Sequence, residues 1–294
     1  MANKKIFFCI SNYNNNLKWL INLGYDYIVY DKTHSGGVGD NKGSFDVPKS
    51  NLEKYINKKK IINSSNNGYN IYDFLKFIID NYNKLPNRIA FIKGNIVGRH
   101  ISKNFFLNSL NNDGFVELFD RKSNQINSSI LNASALITLD NFFLEVNNNY
   151  FFHHRNHPKK YFYSTMHFLK FCFVDTFFSL YLKFPPGGCF ITNKKNILFY
   201  PKNFYVNLLT FVSHHRVPAE GLLLERLLPT ILQNNFLLNN KIKKKLSKKD
   251  LSELEKKVER RNNFLFIFFR KNISILTKII GFIFVKFNII LSLL

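Results

Sequence analysis

Two glutamates stand in an otherwise apolar run, Glu220-Gly221-Leu222-Leu223-Leu224-Glu225-Arg226-Leu227. A carboxylate in such surroundings is either paired or kept as a working base, because an unpaired buried charge is costly. Five residues apart on a helix, the two lie about 140° from one another and face different neighbours. Arg226 offers Glu225 a structural partner, which leaves Glu220 as the better candidate base. His100 follows Arg99; a histidine titrates near neutral pH and suits a phosphate or acceptor contact. The remaining candidates are short clusters of polar side chains: Ser11-Asn12-Tyr13-Asn14, Asp31, and Lys93-Gly94-Asn95.

Other arrangements of reactive residues lead less far. His153, His154 and His157 precede Pro158 in a loop-like stretch that presets no metal geometry. Cys189 has no base beside it in the sequence and reads as a small buried residue. His214-His215 reads as a helix end, where the dipole favours histidine. Gly36-Gly37-Val38-Gly39 is followed by no Gly-Lys-Ser/Thr and opens no helix, so it is a loop rather than a phosphate-binding fingerprint.

The elements around the polar clusters explain why they would converge. Residues 6–10 are continuously apolar, as a strand buried on both faces should be. A short helix over 17–23 and a strand over 27–30 follow, which is the βαβ signature of a parallel sheet. Ile71, Phe74, Leu75, Ile78, Ile79 and Tyr82 recur at helical spacing, with Asn70 as the expected N-cap. A strand over 88–92, a short helix to Leu110 and a strand over 115–119 come next. Residues 121–160 carry little pattern. The nearly all-round apolar stretch 161–182 predicts a buried helix, 189–192 a strand, and 204–212 and 220–232 two helices packed back on the sheet. In an open parallel sheet, ligands bind outside the carboxyl ends of the strands. Ser11, Asn12, Tyr13, Asn14, Asp31, Lys93, Asn95, Arg99 and His100 all fall at or just beyond such ends.

The chain has 294 residues, 46% of them hydrophobic and 33 of them Phe, which is enough for a sizeable core. Its formal charge is +23, from 42 Lys and Arg against 19 Asp and Glu. Only 9 of the cations are Arg, while 41 residues are Asn. Lys, Asn, Phe and Ile are what AT-rich codons encode, and a nucleic-acid reader leans on Arg for bidentate contacts. Nucleic acid is therefore not the expected partner. Three separated cysteines make neither a disulfide scaffold nor a zinc ribbon, and no apolar run near the start has the length of a signal sequence.

Past residue 240 the composition shifts. Residues 241–261 read as a charged helix. Residues 264–294 are apolar but interrupted by Arg270, Lys271, Lys278 and Lys286. A spanning helix needs about 20 apolar residues with few or no charges, so this tail is expected to lie in the plane of an anionic membrane surface. The expected organisation is an α/β domain over 1–240 and a basic, apolar helical tail over 241–294, in a cytoplasmic protein peripheral to a membrane.

Four segments carry a family resemblance. They are Phe8-Cys9-Ile10-Ser11-Asn12-Tyr13-Asn14 with Leu17-Lys18-Trp19-Leu20; Gly68-Tyr69-Asn70-Ile71-Tyr72-Asp73-Phe74-Leu75 running on through Leu85-Pro86 to Ala90-Phe91-Ile92-Lys93-Gly94; Pro186-Gly187-Gly188-Cys189-Phe190-Ile191; and the 220–227 run. Over roughly residues 5–235 the chain resembles a domain of unknown function that is similar to GT-A type glycosyltransferases. The resemblance implies a Rossmann-like, mostly parallel sheet flanked by helices. It also implies transfer of a sugar from a nucleotide-sugar donor to a glycan or lipid-linked acceptor, with a non-catalytic binding or scaffolding module at a membrane as the alternative. On that reading Ser11, Asn12, Tyr13, Asn14, Asp31, Lys93, Asn95 and Arg99 bind the donor, and Glu220, Glu225 and His100 are the catalytic candidates. Many GT-A enzymes hold a divalent cation with Asp-x-Asp at a strand end. Here that end is Lys93-Gly94-Asn95, so Lys93 or Arg99 would neutralise the diphosphate instead.

Overall fold

Alternate residues of the strands enter two different cores. In β1 (Phe7–Asn12), Phe8 and Ile10 join one apolar cluster while Cys9 joins the other. After β2 (Asp26–Asp31) and β3 (Ile61–Asn63), the same division recurs in β4 (Arg88–Lys93), where Ala90 and Ile92 face one way and Ile89 and Phe91 the other. Successive side chains of a strand point to opposite faces, so a strand apolar at every position needs cover on both. Helices Tyr69–Asn81, Lys202–Val212 and Ala219–Asn234 cover one face. Lys18–Ile21 and Lys103–Ser109 contribute to the cover of the other.

The structure is a computed structural model. It describes residues 6–21, 23–33, 52–120, 135–138, 142–147, 156–176 and 180–261, with 278, 279, 282 and 283. Further strands are β5 (Val116–Glu117), β6 (Ala135–Ile137), β7 (Phe143–Val146), β8 (Tyr181–Lys183) and β9 (Phe190–Asn193). The six-stranded sheet has the order β3-β2-β1-β4-β9-β5. β1 to β4 are mutually parallel, and β9 runs antiparallel to both β4 and β5. This is a mixed α/β, Rossmann-like architecture. A separate antiparallel sheet, β6-β7-β8, is tied to the 219–234 helix by Arg226, whose Nε and Nη2 donate to Glu145 Oε2 and Oε1 at 2.5 and 3.2 Å.

Several sequence expectations are corrected. The helix expected over 161–182 is only Thr165–Cys172. It stops at Phe173, whose backbone is extended and bridges to Leu238, and the chain returns as strand β8. Thr165, Phe168 and Cys172 of the helix and Leu182 of β8 are buried while Lys170 and Val174 are exposed, and a run apolar at nearly every position has the same pattern as helix or strand. The 69–81 helix is preceded by Gly68 at φ +62, not capped by Asn70, which lies inside its first turn. A Cβ at Gly68 would stand 2.8 Å from the Val212 carbonyl oxygen, so the helix start requires glycine twice over.

The charged stretch after residue 240 forms two helices, Asn240–Lys243 and Lys248–Arg261. Between them, buried Asn207 donates to the carbonyls of Ile242 and Lys244 and accepts from Leu246 N–H. Ile242, Leu246 and Leu254 are part of the main core. Among the described residues no helix is long and apolar enough to cross a membrane. Apart from 278, 279, 282 and 283, the expected membrane-surface tail lies outside the described residues.

Candidate functional site

The strand order contains one reversal: β2 and β3 are added on one side of β1, and β4 on the other. Such a reversal is where ligands bind in open α/β sheets; here the two loops start packed together, Gly94 N–H donating to the Ser11 carbonyl at 2.9 Å and Trp19 Nε1 to the Gly94 carbonyl at 3.2 Å. Because β9 runs the other way, the loop that enters it, Pro185 to Gly188, arrives at this same edge.

One polar cluster is centred on Asp73, which is 0% exposed. Ser11 Oγ donates to its Oδ2 at 2.5 Å, and Ser64 Oγ donates to its Oδ1. Lys32 Nζ lies 3.5 Å from Oδ2 and donates to the carbonyls of Asn67 and Tyr69 at 2.8 and 2.6 Å. Burial raises the Asp73 carboxyl to about 6; Lys32 and the serine hydroxyls oppose the rise without cancelling it. The same burial lowers the Lys32 ammonium, against the pull of Asp73.

A second cluster surrounds Gly187. Its N–H donates to Glu225 Oε1 at 3.1 Å and its carbonyl accepts from Asn70 Nδ2 at 3.1 Å. Glu225 Oε2 lies 3.6 Å from Lys93 Nζ. Burial pushes the Glu225 carboxyl up, but Lys93 above all, then Arg226, His100 and the Gly187 N–H, hold it below the usual carboxylate range. The His100 ring packs flat on the glycine: a Cβ at Gly187, where φ is +91, would come within 3.1 Å of it. His100 is 5% exposed, and neither of its ring nitrogens has a hydrogen-bond partner. Burial first, then Lys93 and Arg99, lower it to about 4, so the ring is neutral at pH 7. Asn70 Oδ1 is likewise buried without a partner.

The structure thus brings Lys93, Glu225 and His100 together, and links Ser11 to them through Asp73 and Asn70, which stand one helical turn apart. Asn12 and Asp31 pair with each other, Nδ2 to Oδ1 at 3.2 Å, and Asp31 Oδ1 also accepts from Thr33 Oγ1 at 2.6 Å. Asn14 N–H donates to Thr33 Oγ1. Tyr13 is 39% exposed at the rim, with the Arg216 guanidinium 5.9 Å from its ring centre. Asn95 precedes the turn Ile96–Arg99, whose Val97 and Gly98 are not helical, and Arg99 is exposed. Glu220 lies apart. It is 1% exposed, its Oε1 accepts from the N–H groups of Lys160, Tyr161 and Phe162, and its Oε2 meets His214 Nε2 at 2.9 Å. That geometry anchors the 160–162 segment.

Sequence reasoning missed Asp73, Lys32, Ser64 and Asn70 as site residues. One signal was present: Asp73 sits beside Phe74 and four residues before Phe77 on the apolar stripe, where an acid has to be paired.

A divalent cation of the kind the resemblance implies needs carboxylate oxygens with open coordination positions. Asp73 has both oxygens on serine hydroxyls, and Glu225 has one on Gly187 and one on Lys93. Among the described residues no three His, Cys, Asp or Glu side chains are grouped as metal ligands would be. These residues do not fit a cation, and no chemistry is assigned through one. Of the histidine cluster, His157 is described and meets Tyr69 Oη through Nδ1 at 3.1 Å; His153 and His154 lie outside the described residues. Comparison with family models, curated proteins and solved structures finds no match.

Proposed function

We propose that the carboxyl edge of β1 and β4, with the Pro185 to Gly188 loop beside it, is the donor site of a GT-A-like glycosyltransferase that moves a sugar from a nucleotide-sugar to a glycan or lipid-linked acceptor. One observation carries this reading. Three buried polar atoms without partners, Asn70 Oδ1 and both His100 nitrogens, flank Gly187 beside Lys93 at the sheet's switch point. Each unsatisfied group costs about 1–3 kcal/mol, a cost that a ligand hydroxyl or amide removes once the Gly187 loop shifts to uncover it, since all three atoms are fully buried. Lys93, 24% exposed, is placed to meet diphosphate oxygens. Neutral His100 offers one donor and one acceptor to a sugar hydroxyl. Glu225 positions Lys93; with its carboxyl held low it is a poor match for a base at neutral pH. Asp31 acts on the 12–15 turn through Asn12.

A second reading, a binding module without turnover, is favoured by a specific observation. The carboxylates of Asp31, Asp73, Glu220 and Glu225 are all engaged by protein donors. Thermal-shift measurements with uridine, guanosine, cytidine and adenosine sugar nucleotides test both. Stabilisation by one of them, weakened about tenfold or more in Lys93→Met, supports the donor site. Slow hydrolysis of that nucleotide-sugar then supports the enzyme, and binding without hydrolysis supports the module. Failure of every nucleotide-sugar to stabilise the protein overturns the donor site itself.

A further inference from the structure

Where β9 ends, the chain holds two large apolar side chains in solvent. The short helix Lys194–Leu198 follows Asn193, and Phe199 N–H closes its last turn on the Lys195 carbonyl at 3.2 Å. Ile197 and Tyr200 are buried on either side of Leu198 and Phe199. Tyr200 Oη donates to the Ile231 carbonyl at 3.0 Å, and the Tyr200 carbonyl accepts from Tyr82 Oη. The backbone is thus held from beneath, and that anchoring leaves Leu198 and Phe199 outside, 40% and 49% exposed. Keeping such side chains in water forfeits the free energy of burying them.

Their surroundings are cationic. Lys194 and Lys195 stand one helical turn before Leu198, on the side of the turn that Leu198 occupies, and Lys202 follows at the start of the 202–212 helix. Lys195 and Lys202 are exposed and Lys194 is partly so, and among the described residues none of the three pairs with a carboxylate. From residue 176 to residue 219 the chain has no Asp or Glu, so the stretch brings no acid of its own. Acids on the neighbouring elements are already met. Asp80, two residues before Tyr82, pairs with Lys76 at 3.0 Å, and Asp113, whose backbone carbonyl accepts from Asn193 Nδ2, has Arg88 beside it. Lysine alone is ordinary in a chain of charge +23. Exposed apolar side chains set among accessible, uncompensated lysines suit a surface that dips into the headgroup layer of a bilayer, with the ammonium groups at the phosphates. We propose that this tip is a membrane contact, in which Leu198 and Phe199 enter the interface of an anionic bilayer and Lys194, Lys195 and Lys202 meet its lipid headgroups. The tip leaves β9 at the edge of the sheet opposite the Gly187 loop, so the contact is separate from the strand-end site and does not depend on its reading.

The test is co-sedimentation of the full-length protein, in about 0.1 M salt, with phosphatidylcholine vesicles that either contain or lack phosphatidylserine. Vesicles with phosphatidylserine should bind the protein, and pure phosphatidylcholine vesicles should bind it about tenfold more weakly or worse. Each of Lys194→Gln, Lys195→Gln and Lys202→Gln should weaken binding about fivefold. Leu198→Ser and Phe199→Ser together should weaken it about tenfold or more. All five side chains lie outside the core, and the two sets of variants probe the contact independently, so the test survives misfolding of either. Failure of the phosphatidylserine vesicles to bind overturns the proposal. So does binding that both sets of variants leave unchanged, which would place it elsewhere on the chain. Loss in the lysine variants with none in the Leu198→Ser, Phe199→Ser protein would make the lysines a site for polyanions such as nucleic acid, and it too overturns the membrane contact.

Discussion

Asp73 is where a single side chain has the largest readable consequence. Its carboxyl titrates near 6 in the folded chain against an ordinary 3.8. Between those values the folded state holds the proton more tightly than the unfolded state does. The stability it contributes is therefore fully present below the lower value and lost as pH rises through the upper one. Asp73→Asn does not titrate there. The stability of the native protein relative to this variant should fall by up to about 3 kcal/mol between about pH 4 and about pH 6.5, then level off. Urea denaturation across that range measures it, and a flat difference would place the Asp73 carboxyl at its ordinary value. Gly187 gives a second prediction. Its positive φ and the His100 ring against it leave no room for a side chain. Gly187→Ala should destabilise the protein by about 1–3 kcal/mol in urea denaturation and displace the His100 ring. The strand-end polar residues were legible because the end of an apolar run marks where a strand stops. Asn70 was not, because a helix N-terminal Asn reads as a cap until the preceding Gly68 is known to carry the left-handed turn.

Elements were legible in proportion to their periodicity. The 69–81 helix shows an apolar stripe, and the strands holding Phe8 to Ile10 and Ile89 to Ile92 are too apolar to be anything half-exposed. Three-residue β3 and β6 carry no period at all; their strand character comes from the neighbours they pair with. The stretch around Cys172 was misread because a run apolar at nearly every position shows neither the helical nor the strand period, even though Val174 lies exposed. The segment after residue 240 shows a further limit: its lysines advertise solvent, while Ile242, Leu246 and Leu254, few and four or eight residues apart, reach the core. Asn207 holds that segment by three hydrogen bonds. Asn207→Ala leaves the Ile242 carbonyl and the Leu246 N–H buried and unsatisfied, with the Lys244 carbonyl half-buried, and should destabilise the protein by about 2–4 kcal/mol. Hydrogen exchange should show the loss concentrated at residues 242–254. Protection unchanged there would mean that the apolar contacts alone hold the segment.

For the molecule as a whole, both faces of the large sheet are covered, and the sequence signs of that cover, uninterrupted apolar strands, were plain from the start. The direction of β9 was not, since Phe190 to Thr192 reads the same whichever way it runs. Yet the place of β9 in the sheet governs how the chain must be assembled. β4 is complete at residue 93 and its outer neighbour begins at residue 190. β5, made in between, pairs in the sheet only with β9. During synthesis at about 5–20 residues per second, the β4 edge waits several seconds at least for its partner. Throughout that wait a buried-type strand offers open backbone groups to any other nascent chain. Chains cut after residue 180 should therefore aggregate through an exposed β edge, and a synthetic Phe190–Asn193 strand peptide with its flanks should suppress that aggregation when supplied in trans. If the cut chains stay monomeric in sedimentation, β4 has found other cover. On this view the late arrival of four residues, rather than the size of the core, sets the interval in which the growing polypeptide most needs a chaperone.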